Sequence, residues 1–194
     1  MLCKAQPQKD SLLLADASQV RDTIEIMFYL QKHAGDYALL TKEEQRLSNL
    51  NFDKFYEEEV KGKSPVATIE IDGLLELGRL GAINDREEFG SRVFTRIVEV
   101  LIETIDKYGF PSEKRFPGGL KSAHNTPVYV TFFDDKHDKE LKRLLKMEYD
   151  LGNIEEKDYN MATYLLKRKN GPPTEKEMKW LAKNTNVKFQ REPN

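Results

Sequence analysis

A broad apolar stripe near the middle of the chain constrains the fold more than any other feature. Eight apolar side chains recur there at steps that suit one face of a helix: Phe89, Val93, Phe94, Ile97, Val98, Leu101, Ile102 and Ile105. A face this wide must be buried against other elements. Asn84 or Asp85 can cap the start, and Gly109 with Pro111 ends the pattern. The sequence therefore predicts a central core helix from about Asp85 to Tyr108.

Other segments with helical spacing lie on both sides of this helix. Helices are predicted from Ser18 to Gly35, from Thr41 to about Val60, from Asp134 or Asp135 to Gly152, from Glu155 to Lys169, and from Thr174 onward. Capping boxes mark the start of two of these helices. They pair Thr41 with Glu44 and Thr174 with Glu177. The fold class predicted is mainly α, a single bundle of six or seven helices.

Residues 127–133 fit two structures. Their β-branched and aromatic content favours a strand. Thr126 followed by Pro127 at a first helical position favours the start of a helix. The sequence therefore leaves open the possibility of one short strand or hairpin beside the helices.

Length and net charge limit the size of the core, the number of domains and the classes of binding partner that we expect. With 194 residues it can bury a core without a metal or a disulfide. We expect residues 1–11 to be disordered, residues 12–185 to form one helical domain, and residues 186–194 to form a polar tail. A net charge of -2 gives no overall attraction to phosphate backbones or anionic lipid.

Basic residues are concentrated near the C-terminus. Between Lys167 and Arg191 the sequence has eight basic residues against two acidic ones. Trp180 and Phe189 are too few to provide stacking platforms for bases, so a nucleic-acid partner is not expected. A solvated helix face explains the basic residues.

The first residues have features of an export signal. Cys3 and Ala5 are small residues at the positions that signal peptidase reads, which would place cleavage before Gln6. An ordinary N-terminus is the other interpretation, and a periplasmic or secreted location is slightly favoured. Cys3 is the only cysteine, so no internal disulfide can form. No apolar run reaches the length of a transmembrane helix.

The densest group of candidate metal ligands lies in residues 134–138. On a helix, Asp134 and Asp138 are four positions apart and share a face with His137. Two carboxylates and an imidazole suit Mn, Fe or Zn, and His124 in the preceding loop could complete the set. Acidic residues also occur in first helical turns simply because they satisfy free N–H groups. A divalent-metal hydrolase is therefore the alternative function, and no other cofactor is predicted.

His124 and His137 are the candidate catalytic residues. Ser122 lies two positions before His124, but no nucleophile motif accompanies the pair. No catalytic signature follows from the sequence.

Several segments together resemble a bacterial family of unknown function. They are Ile105–Ser112 with its Tyr-Gly-Phe-Pro core, an apolar segment, the pair Leu144–Leu145, and Asp150–Ile154, within residues 84–173. The family has a helix, Gly-Trp/Phe-Pro, an apolar helix ending in Gln-His, a Leu-Leu helix, Gly-Glu-Ile, and a helix with Asp-Arg. The resemblance implies a mostly helical fold and no known activity.

This chain departs from the family pattern at two polar positions. Phe133 or Asp134 stands where the family has histidine, and His137 comes one turn later. Leu166 and Lys167 stand near the Asp-Arg position. The absence of a catalytic motif, the balanced charge and the features of an export signal favour an exported helical protein that acts by contact with an unknown protein partner. The sequence leaves the oligomeric state open.

Overall fold

The computed structural model describes residues 2–39, 86–116, 127, 136–167 and 173–185. Within them the chain forms six α-helices: α1 (Leu2–Ala15), α2 (Ala17–Leu39), α3 (Arg86–Tyr108), α4 (Asp138–Asp150), α5 (Glu156–Lys167) and α6 (Glu175–Asn184). One 3₁₀ turn covers Glu113–Arg115. The described residues include no β-strand, and the mainly α fold class is confirmed.

The centre of the core is α3, as the apolar stripe predicts. Ile97, Val98, Leu101 and Ile105 are completely buried. The most extensive packing in the structure is between α2 and α3, and both α1 and α4 also contact α3. Gly109 adopts the left-handed conformation, with φ of 76°, directly after the helix ends. The predicted helix and its glycine stop are both confirmed.

The first residues differ from the expectation. Residues 1–11 were expected to be disordered, but α1 begins at Leu2, and that expectation is wrong for the residues described. Leu13 is buried in the core, and Lys9 donates a hydrogen bond of 3.0 Å to the carbonyl of Ile105 on α3. A polar segment looks disordered when only its own composition is considered, whereas here it is held by contacts with distant residues.

The predicted end of the helix that begins near Ser18, which is α2 in the structure, is also wrong. Gly35 was expected to stop it, but α2 continues through Gly35 to Leu39. A glycine inside a helix costs roughly 1 kcal/mol relative to alanine, which packing elsewhere in a long helix can offset. The helix predicted over Thr41–Val60 and the tail at 186–194 lie outside the described residues. So does the ambiguous segment 127–133 except Pro127, which is helical and buried.

The last three helices follow one another closely. Gly152, also at φ 76°, separates α4 from α5. The capping box at Thr174 is confirmed, because its hydroxyl accepts a hydrogen bond from the Glu177 backbone while the Glu177 side chain accepts one from Thr174 N–H. Helix α5 packs against both α4 and α6. No helix within the described ranges combines the length and the apolar character that crossing a membrane requires.

Candidate functional site

The residues of the predicted metal site lie around the start of α4. His137 immediately precedes the helix, and Asp138 is its first residue. Asp134 and His124 lie outside the described residues. Among the residues that the structure does describe, no three His, Cys, Asp or Glu side chains form a group able to hold a metal ion.

His137 and Asp138 lie near different charged side chains. Nε2 of His137 lies 3.8 Å from Oε1 of Glu99 on α3. Oδ2 of Asp138 lies 3.6 Å from Nζ of Lys142, one turn further along α4. The described geometry therefore brings His137 to a carboxylate that the sequence did not predict, and pairs Asp138 with a lysine.

Two cations surround Glu99. Nη1 of Arg96 lies 3.1 Å and Nζ of Lys136 lies 3.3 Å from its carboxylate oxygens. Partial burial by itself raises the pKa of Glu99, but the hydrogen bonds and positive charges of Arg96 and Lys136 outweigh it and lower the pKa below its ordinary value. A carboxylate already neutralised in this way is a weak ligand for a divalent cation.

A second polar group, mostly buried but with a half-exposed Asp10, lies where α1 contacts α3 and α4. We call it the Glu148 cluster, and its members are Lys9, Asp10, Arg115, Glu148 and Asn153. Glu148 is completely buried. Its Oε2 accepts hydrogen bonds from the Phe110 N–H at 2.8 Å and from Nδ2 of Asn153 at 2.7 Å. Its Oε1 lies 3.5 Å from Nζ of Lys9. A buried carboxylate needs such partners, because an unmet one costs several kcal/mol.

Arg115 completes the Glu148 cluster from the other side of the turn. Its guanidinium donates to the carbonyls of Tyr108 at 2.7 Å and Phe110 at 2.9 Å. It also pairs with Oδ1 of Asp10 at 2.7 Å. The backbone from Tyr108 to Phe110 is thus held by a cation and a carboxylate, which explains why the chain turns sharply after α3.

One further contact joins the N-terminal region to α3. The hydroxyl of Tyr108 donates a hydrogen bond of 2.8 Å to Oδ2 of Asp16, the residue between α1 and α2. Burial raises the pKa of Tyr108, the bond to Asp16 acts in the same direction, and Lys107 opposes them. These contacts are structural, since none of the groups faces a described cavity.

The sequence contained a signal for Glu148 that the prediction did not use. Leu141, Leu144 and Leu145 form the apolar face of α4, and Glu148 continues that same face by helical spacing. A carboxylate on an apolar helix face must either reach water, through a bend of the helix, or be buried with hydrogen-bond partners. The partners could not have been named, because Lys9 is 139 positions away.

An open groove lies where α4, α5 and α6 meet. We call it the aromatic groove; it has a volume of about 650 Å³ and is lined by Lys142, Tyr159, Asn160, Thr163, Tyr164, Lys167, Glu177 and Trp180. Five of these residues lie on one face of α5, at positions 159, 160, 163, 164 and 167. The volume is within the range of about 300–1,000 Å³ that is typical of ligand sites.

Each of the three aromatic side chains that line the groove belongs to a stacked pair. The rings of Tyr164 and Trp180 lie 6.1 Å apart at an angle of 28°. Behind them Tyr159 stacks on Tyr149 of α4, with centroids 4.3 Å apart. Stacking fixes the rings in place, so a ligand does not have to immobilise them.

A hydrogen bond and apolar packing keep α5 and α6 together. Nδ2 of Asn160 donates to the carbonyl of Asn184 at 3.2 Å. Leu181, one position after Trp180, is buried and anchors α6. Trp180 itself is 42% exposed, although tryptophan is usually well buried. The groove therefore presents a large apolar ring to solvent from a rigid support.

Comparison with known proteins gives no relative: no family model, no curated protein and no solved structure matches the chain. The resemblance to a bacterial family of unknown function stays a prediction. Two of the segments that carry it do lie together, because Tyr108–Ser112 and the Gly152–Asn153 turn are joined through Glu148.

Proposed function

We propose that this chain acts by binding another protein, and that the aromatic groove is the surface it uses. The observation that carries this proposal is the exposure of Trp180 beside Tyr164 in an open groove. Tryptophan and tyrosine supply much of the binding energy at protein interfaces, because they bury large areas and lose little side-chain entropy.

The support from α5 and α6 strengthens the proposal. A binding surface works best when its contact residues are held before the partner arrives. The Tyr149–Tyr159 stack and the bond from Asn160 to Asn184 hold the groove in this way. An open groove also admits an extended segment of a partner, because the ends of the segment can leave it.

The test is a selection of binders from a displayed library of short peptides. Trp180 is the only tryptophan of the chain, so its emission reports directly on the groove. We expect selected peptides without tryptophan to shift that emission. Calorimetry should show that Trp180→Ala weakens their binding by tenfold or more, about 1.4 kcal/mol.

Met178 offers a matched control on the same helix. It is 36% exposed but does not line the groove. Met178→Ala should therefore leave binding unchanged. Selected peptides that bind Trp180→Ala as well as they bind the natural chain would contradict the proposal.

A further inference from the structure

The charged residues of the aromatic groove have unequal freedom to meet a ligand. Among the described residues that line it, the groove has one carboxylate, that of Glu177, and two ammonium groups, those of Lys142 and Lys167. Oε2 of Glu177 accepts hydrogen bonds of 2.7 Å from both the N–H and the hydroxyl of Thr174. The carboxylate is thus occupied in beginning α6, as a capping box requires.

The two lysines are the groups that remain available. Lys167 is exposed at the end of α5, and within the described part of the chain it makes no hydrogen bond or ion pair. Nζ of Lys142 lies 3.6 Å from Oδ2 of Asp138, and the Lys142 side chain is 45% exposed. The Asp138 side chain is only 15% exposed, so the pair is partly buried, but the exposed ammonium group of Lys142 lines the groove and can approach a ligand carboxylate while it stays beside Asp138.

The apolar part of the groove favours a flat side chain. The Tyr164 and Trp180 rings stack on each other and line the groove, and Trp180 is exposed to solvent. Proline and phenylalanine pack well on such rings, and grooves lined by aromatic residues commonly bind extended proline-containing segments. Such segments lose little entropy on binding, because they are already extended.

Building on the proposed function, we propose that the groove binds an acidic segment of a partner protein. Its proline or phenylalanine lies on Tyr164 and Trp180, and its carboxylates meet Lys167 and Lys142. A single-stranded nucleic acid would also offer flat rings and negative charge. It fits less well, because the two lysines among the described lining residues are few for a phosphate backbone and the net charge of the chain is -2.

The test uses three short peptides that are blocked at both ends. They contain proline and phenylalanine in the same order and differ only in having Glu, Gln or Lys between them. Binding is followed through the emission of Trp180, the only tryptophan. We expect the Glu peptide to bind about tenfold more tightly than the Gln peptide. The Lys peptide should bind most weakly, and added salt should reduce the differences.

Charge reversal gives the matched comparison. Lys167→Glu should weaken binding of the Glu peptide about tenfold and strengthen binding of the Lys peptide. Lys157→Glu makes the same change on the same helix at an exposed position that does not line the groove, and should leave binding unchanged. Equal effects of the two substitutions would overturn the assignment of Lys167.

Three other outcomes would also overturn the acidic-segment proposal. Equal binding of all three peptides would do so while leaving the groove as a protein-binding surface. An oligonucleotide of thymidines that binds more tightly than the Glu peptide would replace the protein partner with nucleic acid. If no designed peptide changes the Trp180 emission, the acidic segment is wrong; the proposed function itself fails only if the display selection returns no binder that depends on Trp180.

Discussion

The carboxylate of Glu148 accepts a hydrogen bond of 2.8 Å from the backbone N–H of Phe110, although 38 positions separate the two residues. Phe110 follows Gly109, whose left-handed conformation ends α3. Both Phe110 and Glu148 are buried, so the bond replaces the water that this N–H would otherwise need. A side chain of α4 therefore acts together with Arg115 to fix the direction in which the chain leaves α3.

Removing this carboxylate should destabilise the protein strongly. Glu148→Ala leaves the buried Phe110 N–H and the Asn153 amide without their acceptor. We expect a loss of about 3 kcal/mol in the free energy of unfolding, measured by urea denaturation. Glu148→Gln keeps one acceptor oxygen and should lose clearly less. An alanine variant as stable as the natural chain would show that water satisfies these donors.

The two left-handed glycines allow strain and crowding to be separated. Both have φ of 76°, so Gly152→Ala should cost only the backbone strain, about 1–2 kcal/mol. A Cβ on Gly109 would lie 2.6 Å from Nη1 of Arg115 and 2.8 Å from Oε2 of Glu148, whereas a Cβ on Gly152 has nothing within 4 Å. Gly109→Ala should therefore lose more stability than Gly152→Ala in the same denaturation experiment. Equal losses would mean that the Glu148 cluster shifts to make room.

The ion pairs of Glu99 predict a dependence of stability on pH. Because Arg96 and Lys136 lower the pKa of Glu99 in the folded protein, its contribution is complete above the ordinary value of 4.5. That contribution is lost as the pH falls through the lowered pKa. Solvent screening keeps it below about 1 kcal/mol. The stability difference between the natural chain and Glu99→Gln should thus be constant at neutral pH and shrink in acid.

Glu140 provides the control for this pH experiment. It is exposed on α4 and has no ion pair among the described residues. Glu140→Gln removes one negative charge without removing a pair. If the stability difference from the natural chain changes with pH in the same way for Glu140→Gln as for Glu99→Gln, the cations near Glu99 are not the cause.

Metal binding can be tested by thermal unfolding after treatment with a chelator. His137 lies near Glu99, whose carboxylate already has two cations beside it, and we expect Mn, Zn, Mg and Ca to leave the midpoint unchanged. A metal present at a hundred times its dissociation constant would add about 2.7 kcal/mol. A rise that disappears in His137→Ala and Asp134→Ala would instead support the metal-dependent hydrolase, with Asp134 and His124 completing the ligand set.

Local signals account for the features that the sequence predicted correctly. The stripe of α3, the stop at Gly109 and the capping box at Thr174 each depend on residues within a few positions of one another. Tyr159, Ala162, Leu165 and Leu166 are predicted to face inward on α5; the last three are buried, and Tyr159 is partly buried against the core. Such features can be recognised without knowing where the rest of the chain lies.

Features that depend on distant residues could not be predicted. Arg115 binds Asp10 across 105 positions, and both look like ordinary surface charges when each is considered with its neighbours. The aromatic groove has the same origin. Tyr164 and Trp180 are on different helices, and only the packing of α5 against α6 brings their rings together.

The docking of α1 through charged side chains has a consequence for how the chain unfolds. Terminal helices commonly fray in local openings that leave the remainder intact. Here, the release of α1 would take Lys9 from the completely buried Glu148 and Asp10 from the largely buried Arg115, so each of these two groups would lose one charged partner. Local opening of α1 therefore costs more than the fraying of a terminal helix that has no such contacts. The slowest-exchanging amides of α1 should report the same opening event as those of α4, more than a hundred residues later in the chain.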